Sequence, residues 1–212
     1  MDLYIFGTKR NAEMASFYFR RDYPDLNFCG YIEDSPLEET AFGFPVLSSA
    51  LFHESISPSK AVLFAPLTKS SARKEVFLRF KNLGYTFASY VSPRAEVWDL
   101  SVIGENCYVQ EFNNIQYGTH IGDNCLFWAG NHIGHHGSIA SHVTFTSHVV
   151  LSGGCNVGAE CYFGVNSTIG DGLDLCGRVF VGMGALVTKN IEQEGIYVGS
   201  PARRLKSSDQ II

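Results

Sequence analysis

The sequence predicts a small parallel α/β domain followed by a parallel β-helix, and three observations carry that prediction. From Val91 to Val187 every sixth residue is apolar, seventeen positions in succession. Glycine follows that residue at 104, 122, 134, 158, 164, 170 and 182, and something small stands four residues after it in most repeats. Before residue 91 the period is absent, and short apolar runs alternate with helix-like stretches.

The elements of the first region follow in order. "LYIF" (3–6) reads as a strand, residues 11–23 as a helix, "FCGYI" (28–32) as a second strand and "AVLFA" (61–65) as a third. A helix over 71–83 and a last strand at "TFASYV" (86–91) complete the set. Strands alternating with helices imply a parallel sheet. Such sheets bind ligands beyond the carboxyl ends of their strands, which places Gly7, Lys9, Arg10, Asn11, Glu33 and Asp34 at one candidate pocket.

The second region is a different object. With 45% apolar content, seventeen hits in one register is about a one-in-a-million event, so the repeat is a structural signal. Helices repeat at 3.6 and amphipathic strands at 2, so neither gives a period of six. A hexad with one large aliphatic and one small residue suits a parallel β-helix, each hexad forming a short strand and a turn. If three hexads make one triangular coil, residues 18 apart stack at about 4.8 Å. Residues 91–186 then supply sixteen hexads, slightly more than five coils. Cys107, Cys125, Cys155 and Cys161 fall on the small position and are read as corner-filling residues.

Composition limits the function. A net charge of −5 and the lack of a basic run argue against nucleic acid and anionic membranes as partners. No apolar run reaches the ~18 residues of a membrane span, and the start does not read as a signal peptide. Cysteines used for packing fit a reducing compartment, so a cytoplasmic location is expected.

Six of the seven histidines fall between 120 and 148. His136, His142 and His148 share one phase of the hexad, so successive members sit on three sides of the coil and point apart. One chain cannot gather them around one ion, and no metal is expected.

The α/β segment, the hexad array and the ending "GIYVGSPARRL" (195–205) together resemble sugar acyltransferases of the sialic-acid O-acetyltransferase and bacillosamine N-acetyltransferase type. The resemblance spans nearly the whole chain. It implies a Rossmann-like nucleotide-sugar-binding domain over 1–90, a left-handed β-helix over 91–190, and a tail over 191–212 near the CoA site. It also implies a homotrimer with acetyl-CoA between neighbouring subunits, and a UDP-, dTDP- or GDP-linked sugar as acceptor in surface-polysaccharide or glycan synthesis.

Alignment on "VVLSGG" (149–154) puts His135 at the family's general base and His136 at the acidic residue that follows it. "GVNS" (164–167), "VGMGA" (181–185) and "VGSPAR" (198–203) match CoA-contacting segments, which assigns Val165, Asn166, Met183, Ala185, Pro201 and Arg203 to the cofactor. Asn131, opening "NHIGHH", is carried as a substrate contact. Spacing gives a separate physical reason to favour His135. Gly153 lies 18 residues on, one coil above, where a bare backbone N–H can approach a thioester and stabilise its oxyanion.

The chain departs from the family twice. The loop after the first strand is "GTKRNAE" (7–13), keeping only Gly7, so phosphate contact falls to the side chains of Lys9, Arg10 and Asn11. A histidine also stands where the family has an acid. The sequence does not choose between amino and hydroxyl acceptors. Two other classes stay open: a metal-dependent lyase of the β-helical carbonic-anhydrase type, and a non-catalytic β-helix scaffold.

Overall fold

In the computed structural model, which describes residues 1–206, the chain divides between Ser89 and Tyr90 into two units. The first contains β1 (Asp2–Phe6), α1 (Arg10–Asp22), β2 (Asn27–Glu33), β3 (Thr40–Ala41), β4 (Phe44–Ser48), α2 (Ser49–Ser55), β5 (Ala61–Phe64), α3 (Ser70–Asn82) and β6 (Thr86–Phe87). Its sheet has the order β3-β4-β2-β1-β5-β6, parallel except for the β3–β4 hairpin.

Sequence pattern explains these elements. β5 is buried along its whole length, as expected of a strand covered on both faces. The first helix turns Ala12, Ala15, Ser16 and Phe19 inward, at the spacing of one helical stripe. The second helix is capped by Ser48, whose hydroxyl accepts the Leu51 N–H at 3.2 Å. The third buries Val76, Phe77 and Phe80, and also Arg73, whose guanidinium donates to the carbonyl of Leu67 at 2.8 Å and so fixes the loop after β5.

Two features differ from the sequence reading. The stretch between Glu33 and Ala61, left unassigned, contains the β3–β4 hairpin and α2. The strand expected over 86–91 is two strands: Thr86–Phe87 ends the α/β sheet, and Tyr90–Val91 opens the second unit.

That unit is a left-handed parallel β-helix. Seventeen short strands run from Tyr90–Val91 to Leu186–Val187, one for each apolar position of the hexad. Strands inside the stack pair with those 18 residues before and after, as in His132↔Val150 and Ile133↔Leu151. Three faces result. The first carries Tyr108–Val109, Leu126–Phe127, Thr144–Phe145 and Tyr162–Phe163; the second Asn114–Ile115, His132–Ile133, Val150–Leu151 and Thr168–Ile169; the third His120–Ile121, Ser138–Ile139, Asn156–Val157 and Asp174–Leu175.

Hexad aliphatics fill the interior, and Phe127, Phe145 and Phe163 form a column with ring centroids 5.0 and 4.5 Å apart, nearly parallel. Full burial of each such ring contributes about 1.5–3 kcal/mol. The glycine after the aliphatic has a steric reason: a Cβ on Gly122 would lie 2.8 Å from the backbone N of Ser141, and one on Gly164 2.6 Å from that of Met183. Coils approach too closely there for any side chain.

The small position does more than fill corners. Cys107, Cys125, Cys155 and Cys161 each donate the thiol to a carbonyl fifteen residues on, at 3.1–3.4 Å. Thr119 does the same through its hydroxyl at 2.7 Å.

Gly195–Val198 and Arg203–Lys206, assigned from sequence to a separate tail, extend the first face as a parallel strand and an antiparallel return. Residues 207–212 of that tail lie outside the described residues. Among the described residues no helix is long and apolar enough to cross a membrane.

Candidate active site

Each corner of the β-helix needs a residue with left-handed backbone, and the chain meets that need at one phase of the hexad. On the corner between the second and third faces those residues are Leu100, Gly118, His136, Gly154 and Gly172, with φ between 53° and 69°. Their predecessors form a second column on the same edge: Asp99, Tyr117, His135, Gly153 and Asp171. His135 and Gly153 are therefore brought together by coil stacking.

The contact between them is close. A Cβ on Gly153 would lie 2.7 Å from Cε1 and 2.8 Å from Nε2 of His135, so the imidazole occupies the space that any other residue at 153 would fill. The opposite side of the ring faces His136, whose Nδ1 is 3.1 Å from Nδ1 of His135. One of those nitrogens must donate. With the proton on His135, its Nε2 is left as a lone pair beside Gly153, the tautomer a base requires. Both histidines are exposed at this edge, and Tyr117, one coil below His135, packs its ring against His136 with centroids 5.6 Å apart.

Above this pair the Gly153 carbonyl accepts from Gly172 at 2.9 Å, and among the described residues the Gly153 N–H has no hydrogen-bond acceptor. A donor without an internal partner at a partly exposed corner is available to a ligand oxygen.

The residues expected at CoA gather elsewhere. Val165, Asn166 and Met183 lie on the corner between the first and second faces, stacked so that the Gly184 N–H donates to the Val165 carbonyl at 2.9 Å. Met183 is 80% exposed. Beside them runs the return from Val198 to Arg203: the Gly182 N–H donates to Tyr197 at 2.8 Å and that of Ala202 to Leu186 at 2.7 Å. Pro201 and Arg203 are exposed in this return. The structure thus collects the expected residues into two clusters on adjacent corners of one chain, with the second face between them.

Three assignments need correction. Asn131 is 1% exposed, and its side chain is consumed internally: the amide donates to Trp128 O at 2.6 Å and Asn113 Oδ1 at 2.9 Å, while its own oxygen accepts the Val149 N–H at 2.8 Å. It is a ladder residue, not a substrate contact. Ala185 is 1% exposed, its N–H bonded to Gly182 and its carbonyl to Thr168, so it has nothing to offer CoA.

Asp34 is bound to Ser49 at 2.6 Å and Arg79 at 2.8 Å and does not line the pocket of the α/β unit. Burial alone would raise its carboxyl, but those two partners outweigh it and hold the group below the usual carboxylate range.

That pocket has about 690 Å³ and is lined by the loop after β1, Gly7 through Ala12, together with Glu33, Phe42 and the loop Pro66–Thr68 after β5. β1 lies between β2 and β5 in the sheet, so the pocket opens at the carboxyl ends where the chain reverses its winding. Gly7 has φ +105° and could not be replaced without strain. Lys9 and Arg10 are exposed at the start of α1, the Asn11 amide reaches Pro66 O at 3.4 Å, and Glu33 Oε1 accepts from the Thr8 N–H at 2.9 Å and its hydroxyl at 2.8 Å.

Sequence reasoning missed Tyr117 and Phe42. Subtracting 18 from 135 finds the tyrosine; Phe42 lies at the tip of a hairpin that the sequence pattern does not mark.

The remaining histidines are dispersed. His136, His142 and His148 occupy three different corners, and His142 is 8% exposed with Nδ1 2.7 Å from the Asn124 amide. Among the described residues no three His, Cys, Asp or Glu side chains group as a metal site. The buried thiols are poor nucleophiles: burial pushes Cys161 up to about 12 and raises Cys107 and Cys155 as well.

Comparison with known proteins matches this geometry to a fold. Residues 100–135 match the family described as bacterial transferase hexapeptide (six repeats). The acetyltransferase domain of PglB from Neisseria gonorrhoeae FA1090 superposes with a TM-score of 0.85 at 19% identity, covering 96% of this chain and 99% of that one. PerB from Caulobacter crescentus, solved with CoA and GDP-perosamine, gives 0.86 at 19% identity, with 97% of each chain covered. WeeI from Acinetobacter baumannii AYE gives 0.82 at 23% identity, covering 97% of this chain and 100% of that one.

Proposed function

We propose that the chain is an acyl-CoA-dependent transferase, with acetyl-CoA as donor, that acylates an amino or hydroxyl group of a nucleotide-linked sugar for surface-polysaccharide or glycan synthesis in the cytoplasm. The observation that carries this reading is the imidazole of His135 lying against the bare Cα of Gly153, with Nε2 on the glycine side and Nδ1 held by His136. Structures that share the fold supply context: the PglB domain has been solved with acetyl coenzyme A, and PerB with CoA and GDP-perosamine.

The chemistry follows from those groups. His135 Nε2 takes the proton from the acceptor nitrogen or oxygen as that atom attacks the thioester carbonyl. The Gly153 N–H donates to the oxygen on which negative charge develops. His136 Nδ1 accepts a hydrogen bond from the Nδ1–H of His135 and keeps the ring oriented as it becomes imidazolium. The C–S bond then breaks, and the imidazolium returns its proton to the departing sulfur, leaving the base ready for the next turnover. No enzyme-bound acyl group is needed. An amine arriving as ammonium first gives one proton to bulk water, and the neutral amine or the hydroxyl then gives one to His135 as it attacks, so either acceptor requires His135.

The two corner clusters support a trimeric arrangement. One chain holds the base on one edge and the exposed Val165, Asn166, Met183, Pro201 and Arg203 on the next. In a three-fold assembly the base edge of one subunit faces the second cluster of its neighbour, and the donor lies between them. The α/β pocket then receives the nucleotide, with Lys9, Arg10 and Asn11 near its phosphates.

The test is a screen of the purified chain with acetyl-CoA and UDP-, dTDP- and GDP-linked amino sugars, following free thiol. Acceptor-dependent thiol release supports the reading. Its absence across the panel, together with no binding of acetyl-CoA, refutes it.

A further inference from the structure

Phe42 has no role in the reading above, yet its placement is unusual. With Gly43 it forms the two-residue link between β3 and β4, where Ala41 pairs with Phe44. Its φ is +50° and that of Gly43 +80°, the signature of a tight hairpin turn that favours asparagine, aspartate or glycine at both positions. A bulky side chain with left-handed backbone is strained, and such strain persists where a function holds it. The Phe42 ring meets Tyr31 edge-on at 5.8 Å between centroids, and the residue stays 45% exposed.

Phe42 lines a trough, and also borders a cavity beside α1 lined by Arg10, Phe17 and Arg20. The 690 Å³ pocket and a second cavity of about 670 Å³ share Thr8, Lys9, Glu33 and Phe42 in their walls, so they are two lobes of one groove. Along it the chemistry changes in order with the sheet. Lys9 and Arg10 stand beyond β1, the Glu33 carboxylate ends β2, and Phe42 stands at the hairpin outside β2. Cations suit phosphates, a carboxylate suits sugar hydroxyls, and an exposed aromatic face suits a heterocyclic base.

We propose that Phe42 is the stacking platform for the nucleobase, and that the nucleotide lies with its phosphates over the β1 loop and its base on the β3–β4 hairpin. This rests on the nucleotide-binding reading of the α/β unit. It fixes the direction of the ligand, with the transferable sugar directed toward the Pro66–Thr68 loop. A platform of this kind tolerates different bases, so Phe42 contributes affinity more than base choice.

The test compares the full chain with Phe42→Asn and Phe42→Tyr by calorimetric titration of UDP, GDP and pyrophosphate, with a melting curve for each protein. Phe42→Asn is expected to weaken UDP and GDP by about 5- to 100-fold, to leave pyrophosphate within about twofold, and to melt at the same or a higher temperature because asparagine accepts the turn. Phe42→Tyr should bind both nucleotides within about threefold of the parent.

Unchanged nucleotide affinity in Phe42→Asn, or an equal loss for pyrophosphate, would overturn the assignment. A clear fall in melting temperature would also overturn it, by showing that the ring is held for packing on Tyr31. A parent chain that binds neither nucleotide would refute the nucleotide reading itself, an outcome distinct from a parent that binds and a variant that does not care.

Discussion

Replacing Gly153 by alanine tests the geometry of the base without touching the base. The added Cβ would fall 2.7 Å from Cε1 and 2.8 Å from Nε2 of His135, whereas ordinary contact begins at 3.4 Å. The imidazole must therefore retreat by about 0.7 Å, and a displacement near 1 Å in a catalytic group costs on the order of 100-fold in rate. Stability should hardly change. Gly153 lies outside the left-handed region, so alanine fits its backbone, and the ring it displaces is exposed.

Gly154→Ala is the control with the opposite signature. Its φ of +68° strains any side chain by about 1–2 kcal/mol, but the nearest atom to its Cβ is Gly172 Cα at 3.7 Å, away from the imidazole. The assay is thiol release at saturating acetyl-CoA alongside thermal melting. Gly153→Ala should keep its melting temperature and lose about two orders of magnitude in turnover; Gly154→Ala should melt earlier and turn over normally while folded. Parent-like turnover in Gly153→Ala would refute the claim that this contact sets the position of the base.

Two further outcomes follow from the same coordinates. His136→Phe removes the nitrogen that faces Nδ1 of His135 and should lower kcat by at least about 10-fold with acetyl-CoA affinity kept; parent-like kcat would show that His136 does not orient the base. Phe145→Ala removes the middle ring of the interior column and should cost about 3–5 kcal/mol, read as a lower denaturation midpoint at an unchanged transition slope; a loss below 1 kcal/mol would mean that the column does not stabilise the coils.

The period of six made the β-helix legible because each hexad aliphatic points into one shared interior, so the sequence repeats what the geometry repeats. Coil arithmetic carried over to chemistry as well: the 18-residue spacing of His135 and Gly153 became a contact of imidazole against glycine. The same arithmetic hid what it did not ask about. Asn131 shares a stretch with the catalytic candidates, but its phase points inward, and residues 113 and 149, one coil to either side, show where its hydrogen bonds go.

Glu33 is the last residue of β2 and Asp34 the first beyond it, so strand alternation does not extend to Asp34, and sequence alone could not say which of the two met the pocket. The hairpin at 40–48 was invisible for a physical reason too: β3 has only two residues, β4 contains Pro45, and the turn carries Phe42 where turn chemistry calls for asparagine or glycine. That mismatch is now the most informative residue of the α/β unit.

The decisive measurement is the turnover of His135→Ala against the parent chain, with acetyl-CoA and whichever nucleotide-linked sugar the screen identifies, at matched oligomeric state and matched acetyl-CoA affinity. Removal of the base should lower kcat at least about 100-fold while CoA binding and assembly stay intact. Turnover within a few-fold of the parent would contradict the assignment of His135 and, with it, the mechanism built on the edge it shares with Gly153.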